Sequence, residues 1–313
     1  MKTTYQTNKG EVIMELTGWI IYNGSLQGNK FLDFAQMIQD AASRKNMNTS
    51  LYKNNELIAT IHADELGVFQ TKQTPLPDYV VFTDKDIYLA KQLELLGVRV
   101  FNSAQAIQIS DDKISTYQVL ANHRLPIPKT IVAPKVFGKQ RNHSFAHLQL
   151  VAQTLGFPMI VKEAFGSFGE QVYLIQTMDE LREKVKELDG KPYMFQQFIE
   201  TSYGKDLRLH VVGDEVVAAM KRTSTDDFRA NVTSGGTMEA YEPNPLEKQL
   251  AIAATKAIGA DFAGVDLLFG ENGPVICEIN SNAHIRNMYN CTHINVADFM
   301  IDYIINTLRI DGR

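Results

Sequence analysis

Phe31, Phe34, Ala35, Ile38, Ala41 and Ala42 recur at helical spacing and predict an amphipathic helix over residues 30–44. Before it, residues 19–22 form an apolar run closed by Asn23-Gly24, which predicts a strand. Residues 49–52, 79–82 and 98–101 read as further strands. A helix through Ala90, Leu93 and Leu96 stops at Gly97. The order strand, helix, strand, strand, helix, strand predicts a small α/β layer with parallel pairing over residues 17–109.

Beyond it, Ser110 is the expected cap of a helix over residues 111–122, and Asp111 and Asp112 suit its positive end. Lys113 does not, so it needs an anionic partner: Asp111, Asp112 or a ligand. Residues 130–133 read as a strand, residues 135–143 as an exposed loop, and a helix ends at Gly156. The strand over residues 158–164 carries Lys162 into Phe165-Gly166-Ser167-Phe168-Gly169-Glu170-Gln171, and a strand over residues 172–175 follows. Glycines there free the backbone to present N–H groups to a phosphate, with Lys162 as a point charge. A plain hairpin turn with an exposed lysine is the alternative. The loop is neither a Walker loop nor a Rossmann fingerprint.

Residues 193–199 form an apolar strand interrupted by Gln196 and Gln197, and a buried glutamine needs a partner. Asp206, Arg208 and His210 share one face of the next strand, and another strand ends at Lys221-Arg222. Asp227-Phe-Arg229-Ala-Asn231, a glycine pair at Gly235-Gly236 and a helix over residues 245–258 follow. Alternating strands here predict an antiparallel sheet backed by helices.

Two carboxylates and an amide then fall inside segments that read as buried strands: Asp266, Glu278 and Asn280. Alternation sends Val275, Cys277 and Ile279 to one face and Glu278 and Asn280 to the other. Glu271-Asn272-Gly273 suits a three-residue hairpin loop that pairs Gly270 with Pro274 and sets Asp266 opposite Glu278; a two-residue loop would separate them. Facing side chains lie about 5 Å apart at Cβ, where like charges are destabilising. A hard divalent cation held by oxygen donors compensates. Two acids on a solvated sheet face are the alternative.

Composition narrows the class. The chain has 313 residues, enough for two or three domains, with 44% hydrophobic and 21% charged residues. A net charge of −5 argues against a non-specific nucleic-acid binder. Its two cysteines, Cys277 and Cys291, indicate no disulfide framework. No apolar run approaches the roughly 18 residues of a membrane span. Residues 1–16 are polar, lack a secretory core and read as a flexible leader. These features favour the cytoplasm. Without His/Cys metal spacing, His210, His284 and His293 read as structural.

Phe195-Gln-Gln-Phe-Ile199, Gly204-Lys-Asp-Leu-Arg208, Val211-Val-Gly-Asp-Glu-Val-Val-Ala-Ala219, Asp227-Phe-Arg-Ala-Asn231, Ala263-Gly-Val-Asp266 and Glu278-Ile-Asn280 occur in that order. The set resembles the ATP-grasp superfamily, and within it the RimK-type carboxylate–amine ligases. The resemblance implies an α/β and α+β architecture, with two α+β subdomains (residues 110–198 and 199–313) gripping ATP behind a pre-ATP-grasp domain. Lys113 and Lys162 would contact phosphates, and Gly166, Ser167, Phe168, Gly169 and Gln171 would close over them. Gln196, Gln197, Phe198 and Ile199 would receive the adenine, with Asp206 near the ribose and Arg208 also on the nucleotide side. Arg222 or Arg229, with Asn231, would face the γ-phosphate and acyl group. Asp266, Glu278 and Asn280 would hold two magnesium ions, with manganese as a substitute. Asn282, His284 and Arg286 would border the acceptor.

The implied reaction activates a carboxylate as an acyl phosphate and passes it to an amine, joining an amino acid such as glutamate to a small molecule, peptide or protein tail. A peptide natural-product or cofactor synthetase and a nucleotide-binding regulatory protein without turnover stay open, as does homo-oligomerisation. Three departures matter. Gln197 replaces the usual hinge glutamate. Gly264 stands where D-alanine–D-alanine ligases carry an arginine. The segment after Asn280 lacks the Ala-Ser-Pro-Gly run common in RimK proteins.

Overall fold

The computed structural model describes residues 4–6, 12–14, 16–70, 74–136, 145–166, 169–230 and 235–310. In the stretch expected as a leader, β1 (Thr4–Gln6) and β2 (Val12–Met14) pair as an antiparallel hairpin. The parallel layer follows. Its first strand, β3 (Thr17–Tyr22), leads through α1 (Lys30–Arg44) to β4 (Asn48–Lys53). A hairpin of β5 (Leu57–His62) and β6 (Glu65–Gln70) comes next, absent from the predicted order. Then β7 (Tyr79–Phe82), α2 (Ile87–Leu95) and β8 (Arg99–Phe101) complete a parallel sheet ordered β4-β3-β7-β8. Strand alternation splits its apolar residues between two cores. Ile20, Val81 and Phe101 pack with α1, whereas Ile21, Val80 and Phe82 pack with Leu89 and Leu93 of α2.

Two helices carry the chain out of this layer: α3 (Ala104–Asp111) and α4 (Lys113–Asn122). Ser110 is not the cap of α4. It lies inside α3, and Asp112 caps α4 by accepting from the Ile114 and Ser115 amides at 2.9 and 3.3 Å.

The middle unit comprises β9 (Thr130–Val132), α5 (Ala146–Leu155), β10 (Met159–Glu163), β11 (Val172–Ile175), α6 (Met178–Glu187) and β12 (Tyr193–Gln197). Its antiparallel sheet is ordered β11-β10-β12-β9 over a core of Leu148, Met159, Val161, Leu181 and Phe195. The final unit comprises β13 (Lys205–Val212), β14 (Glu215–Thr223), β15 (Thr237–Ala240), α7 (Pro245–Ala257), β16 (Phe262–Gly270), β17 (Gly273–Asn280), α8 (Arg286–Thr292) and α9 (Val296–Ile310). Its antiparallel sheet is ordered β15-β14-β13-β16-β17. Leu207, Leu209, Val265, Leu267, Ile276 and Ile279 join Leu250 and Ala254 of α7 in one core. Among the described residues no helix is long and apolar enough to cross a membrane.

The first layer and the last sheet are not separate bodies. Ile20, Ile38 and Phe101 share a core with Phe262, Met300 and Ile304. Asn102, fully buried, clamps the junction: its Nδ2 donates to the carbonyls of Phe262 (2.8 Å) and Ser281 (2.7 Å), and its Oδ1 accepts from the amides of Asp261 (2.6 Å) and Phe262 (3.1 Å). Truncation would leave those backbone groups buried and unpaired. Asn102→Ala is therefore expected to lower stability by about 3 kcal/mol, visible as a shifted midpoint in urea unfolding.

Candidate active site

The turn between β16 and β17 differs from the expectation, and the difference decides the site. Gly270 pairs with Gly273, so the loop has two residues, and Leu267 pairs with Ile276. A bulge follows. Cys277 is the extra residue, and beyond it Asp266 pairs with Glu278 and Gly264 with Asn280. The predicted Asp266–Glu278 pairing stands, reached by a shorter loop corrected by a bulge. The placement of Cys277 does not stand. Ile276 and Ile279 both enter the apolar core, and Cys277 lies with Glu278 on the opposite face, its Sγ 3.8 Å from Lys162 Nζ.

That contact brings the two antiparallel sheets together, since Lys162 is on β10 and Cys277 on β17. Lys162 is 6% exposed, and its ammonium stands 5.8 Å from the Tyr117 ring. Burial disfavours its charge, but Cys277, Tyr117 and Glu278 outweigh burial and raise its pKa. Burial pushes the Cys277 thiol up to about 11, so it is protonated near neutrality. Tyr117, on α4, donates to the Cys277 carbonyl at 2.7 Å and to Gln196 Oε1 at 3.4 Å. Gln196 Nε2 donates to Thr130 Oγ1 at 2.9 Å, which supplies the partner its burial requires. Sequence reasoning passed over Tyr117; a single buried tyrosine on a helix carries no motif.

Neither candidate partner holds Lys113. Asp111 is paired with Lys85 at 2.5 Å, and Asp112 is the helix cap. Lys113 Nζ instead donates to the Gly166 carbonyl at 2.9 Å and lies 3.6 Å from Glu278 Oε1. Its backbone amide donates to the Ala164 carbonyl, so the residue is tied to the glycine loop at both ends. Gly166 has φ +137°, and a Cβ there would sit 2.2 Å from Gln171 Oε1. Ser167, Phe168 and Asn231 lie outside the described residues. Arg229 pairs with Asp227 and donates to the Gly169 carbonyl at 2.5 Å, which links the last sheet's loop to the glycine loop.

On the last sheet the charges alternate. Arg222 gives a two-pronged bond to Asp206 (2.7 and 2.6 Å) and reaches Asp266 at 2.9 Å, and Arg208 gives another to Asp266 (2.6 and 2.5 Å). Burial acts to raise the Asp266 carboxyl, yet Arg208 and Arg222 outweigh it and hold it at about 2. Burial leaves Asp206 raised despite Arg222. In this structure Asp206 thus gives both oxygens to Arg222, whereas the resemblance implies a ribose contact. Arg222 is buried and paired with both Asp206 and Asp266. His210 shares this face, and burial with Arg208 lowers its pKa to about 3.

The remaining candidates spread outward. Gln197, Phe198 and Ile199 border a cavity of about 670 Å³, also lined by Leu246, Leu250 and the turn at Gly270–Gly273. Residues of α7 line that cavity, and Lys162 does not. The His284 ring sits 5.4 Å from the rings of Phe31 and Phe34, and burial, then Lys30 and Arg208, lower its pKa to about 4. Arg286 does not stand free for a substrate, because it is bonded twice to Asp33 at 2.9 and 2.6 Å. Asn282 is half-buried in the same segment.

Among the described residues no three His, Cys, Asp or Glu side chains converge as a ready cation cage. Asp266, Glu278 and Asn280 instead offer two carboxylates and an amide on adjacent strands, and Asn280 Nδ2 is buried with no hydrogen-bond partner.

The RimK-like ATP-grasp domain matches residues 110–304. N-acetylaspartylglutamate synthase A of Homo sapiens is 32% identical over 267 residues, which cover 81% of this chain and 67% of the synthase. A probable alpha-L-glutamate ligase of Trichodesmium erythraeum (strain IMS101) is 33% identical over 228 residues, covering 70% of this chain and 72% of the ligase. The ATP-grasp ligase PsnB, solved with a phosphomimetic variant of its minimal precursor, Mg and ADP, superposes with a TM-score of 0.66 at 16% identity; the match covers 92% of this chain and 97% of PsnB. Two apposed antiparallel sheets behind a parallel layer thus define an ATP-grasp fold. The chain belongs to the RimK-like ATP-grasp family.

Proposed function

We propose that this chain is an ATP-dependent carboxylate–amine ligase that joins an amino acid such as glutamate to the carboxylate of a small molecule or peptide. The observation that carries this reading is the meeting of Lys162 and Lys113, from one sheet and its entry helix, with neighbouring residues of the other sheet, Lys162 with Cys277 and Lys113 with Glu278. Around this junction, two buried or partly buried lysines can neutralise a triphosphate, and oxygen donors can hold hard cations. The relatives' names support an amino-acid acceptor.

Asp266, Glu278 and Asn280 fit magnesium by donor chemistry, and the unpartnered Asn280 amide leaves its orientation to be set by a ligand. When bound there, two such ions supply Lewis-acid neutralisation of phosphate oxygens. Lys113 and Lys162 bind the phosphates, while Arg208 and Arg222 fix the Asp266 carboxylate in one geometry. Arg229 and the glycine loop, already joined at Gly169, exclude water from the reacting groups. The substrate carboxylate attacks the γ-phosphate, giving an acyl phosphate and ADP. The amine then attacks the acyl carbon and displaces phosphate, and its proton leaves to solvent. Positioning and charge neutralisation suffice for both steps, without a protein nucleophile. The setting proposed is the cytoplasm.

Product mass spectrometry with paired amino acids and carboxylates tests this. The expected product is their sum less one water, formed with one ADP. ATP binding with no amine- and carboxylate-stimulated ADP release would instead support a nucleotide-binding regulatory protein.

A further inference from the structure

Helix α4 carries two side chains into the junction of the two antiparallel sheets. Lys113 and Tyr117 stand four residues apart, so both lie on one face of the helix. Lys113 comes within 3.6 Å of Glu278, and Tyr117 reaches the residue before it, donating to the Cys277 carbonyl at 2.7 Å. Gln196 Oε1, on β12, is a second and longer acceptor at 3.4 Å. On β10 the Lys162 ammonium stands 5.8 Å from the phenol ring. A single side chain, 4% exposed, thus meets both sheets.

On β17 it meets the bulge. The extra residue of a bulge is left unpaired in the ladder, and β17 is an edge strand with no strand on its outer side. The Tyr117 hydroxyl supplies the Cys277 carbonyl with a partner from outside the sheet. Its proton is in place, because burial pushes that hydroxyl up to about 12. The bulge in turn decides where Glu278 stands. Were Cys277 counted in the ladder, it would pair with Asp266, and Glu278 would pair with Val265 and turn toward the apolar core.

We propose that Tyr117 is a positioning residue, whose hydroxyl holds the Cys277 bulge and so sets Glu278 opposite Asp266 and beside Lys113. The role of Glu278 rests on the cation site proposed above, whereas the hold on the bulge does not.

Tyr117→Phe isolates the bond, since it removes one oxygen and keeps the ring and its packing. Two readouts on the full chain separate the bulge from the cation site. The first is alkylation by iodoacetamide, followed by peptide mass spectrometry. The chain has two cysteines, so Cys291 serves as the internal reference. Loss of a buried hydrogen bond makes local opening easier, and Cys277 is expected to react about tenfold faster while Cys291 is unchanged. The second is Mn²⁺ affinity, measured by electron paramagnetic resonance with a non-hydrolysable ATP analogue. Tyr117→Phe is expected to weaken it about tenfold, as loss of an outer partner of a metal site does. In a Glu278→Gln background the same change should have no further effect.

An unchanged alkylation rate at Cys277 would overturn the proposal, as would equal acceleration at both cysteines. Equal weakening of Mn²⁺ binding by Tyr117→Phe in both backgrounds would also overturn it, as would weakening by Glu278→Gln alone. Faster alkylation at Cys277, with Mn²⁺ binding that neither variant alters, would uphold the hold on the bulge and remove the cation site.

Discussion

Glu278→Ala is expected to abolish turnover, lowering ADP formation by about 10³-fold or more, while the protein melts as the wild type does. The catalytic loss follows from the position of Glu278 opposite Asp266, 3.6 Å from Lys113, at the point where the two sheets meet. Removing one preorganised electrostatic group from such a site costs about 10²–10³ in kcat, and loss of an oxygen donor for the proposed cation would add to that. The small effect on stability follows from exposure. The Glu278 side chain is 32% exposed, and an ion pair of that kind is worth about 0–1 kcal/mol. Steady-state ADP release and thermal melting on the same preparation check both halves. Full activity in this variant would remove Glu278 from the reaction.

Arg222→Ala is expected to act in the opposite way, with its largest effect on the fold. Arg222 is buried between Asp206 and Asp266, and its removal leaves two carboxylates in the sheet with only Arg208 to balance them. Breaking a buried ion pair from one side costs about 3–5 kcal/mol, far more than the pair's net worth. The loss should depend on pH with a definite sign. In the wild type the Asp266 carboxyl is held at about 2, below an unfolded value near 4, so its contribution is present above about pH 4 and is lost as pH falls toward 2. Asp206, raised by burial, partly opposes it. Without Arg222 both carboxyls rise, and protonation then relieves the variant while it weakens the wild type. The stability difference between the two should therefore narrow below about pH 4 in urea unfolding. A difference that stays constant from pH 7 to pH 3 would contradict the ion-pair account.

Residues with strong local patterns were legible. The α1 boundaries match its apolar stripe, and β7 is a four-residue apolar run buried on both faces. Elements with weak or misleading patterns were missed. The α6 helix buries only Leu181 and Val185 within a charged run, so few apolar residues mark it. The β5–β6 hairpin leaves Ile58, Ile61 and Phe69 exposed, and its alternation does not separate one face from the other. A polar Ser-Asp-Asp run hid the break between α3 and α4, because either serine or aspartate can cap a helix.

The candidate site divides along the same line. Lys162, Asp266, Glu278 and Asn280 stand on strands that the pattern locates, whereas Lys113 opens α4, whose start the pattern misplaced. The pairings around them join residues far apart in the chain: Arg222 with Asp266, Lys113 with Glu278, Lys162 with Cys277. No local rule reports such pairings. The bulge at Cys277 is the sharpest case, since one extra residue reversed the side that the cysteine faces while leaving Glu278 where it was expected.

Crystals grown with a non-hydrolysable ATP analogue and Mg²⁺ test the central claim most directly. The result expected is metal density bound by Asp266, Glu278 and Asn280, with the triphosphate between those residues and Lys113 and Lys162. A triphosphate bound elsewhere, or these three side chains turned away from any metal, would contradict it.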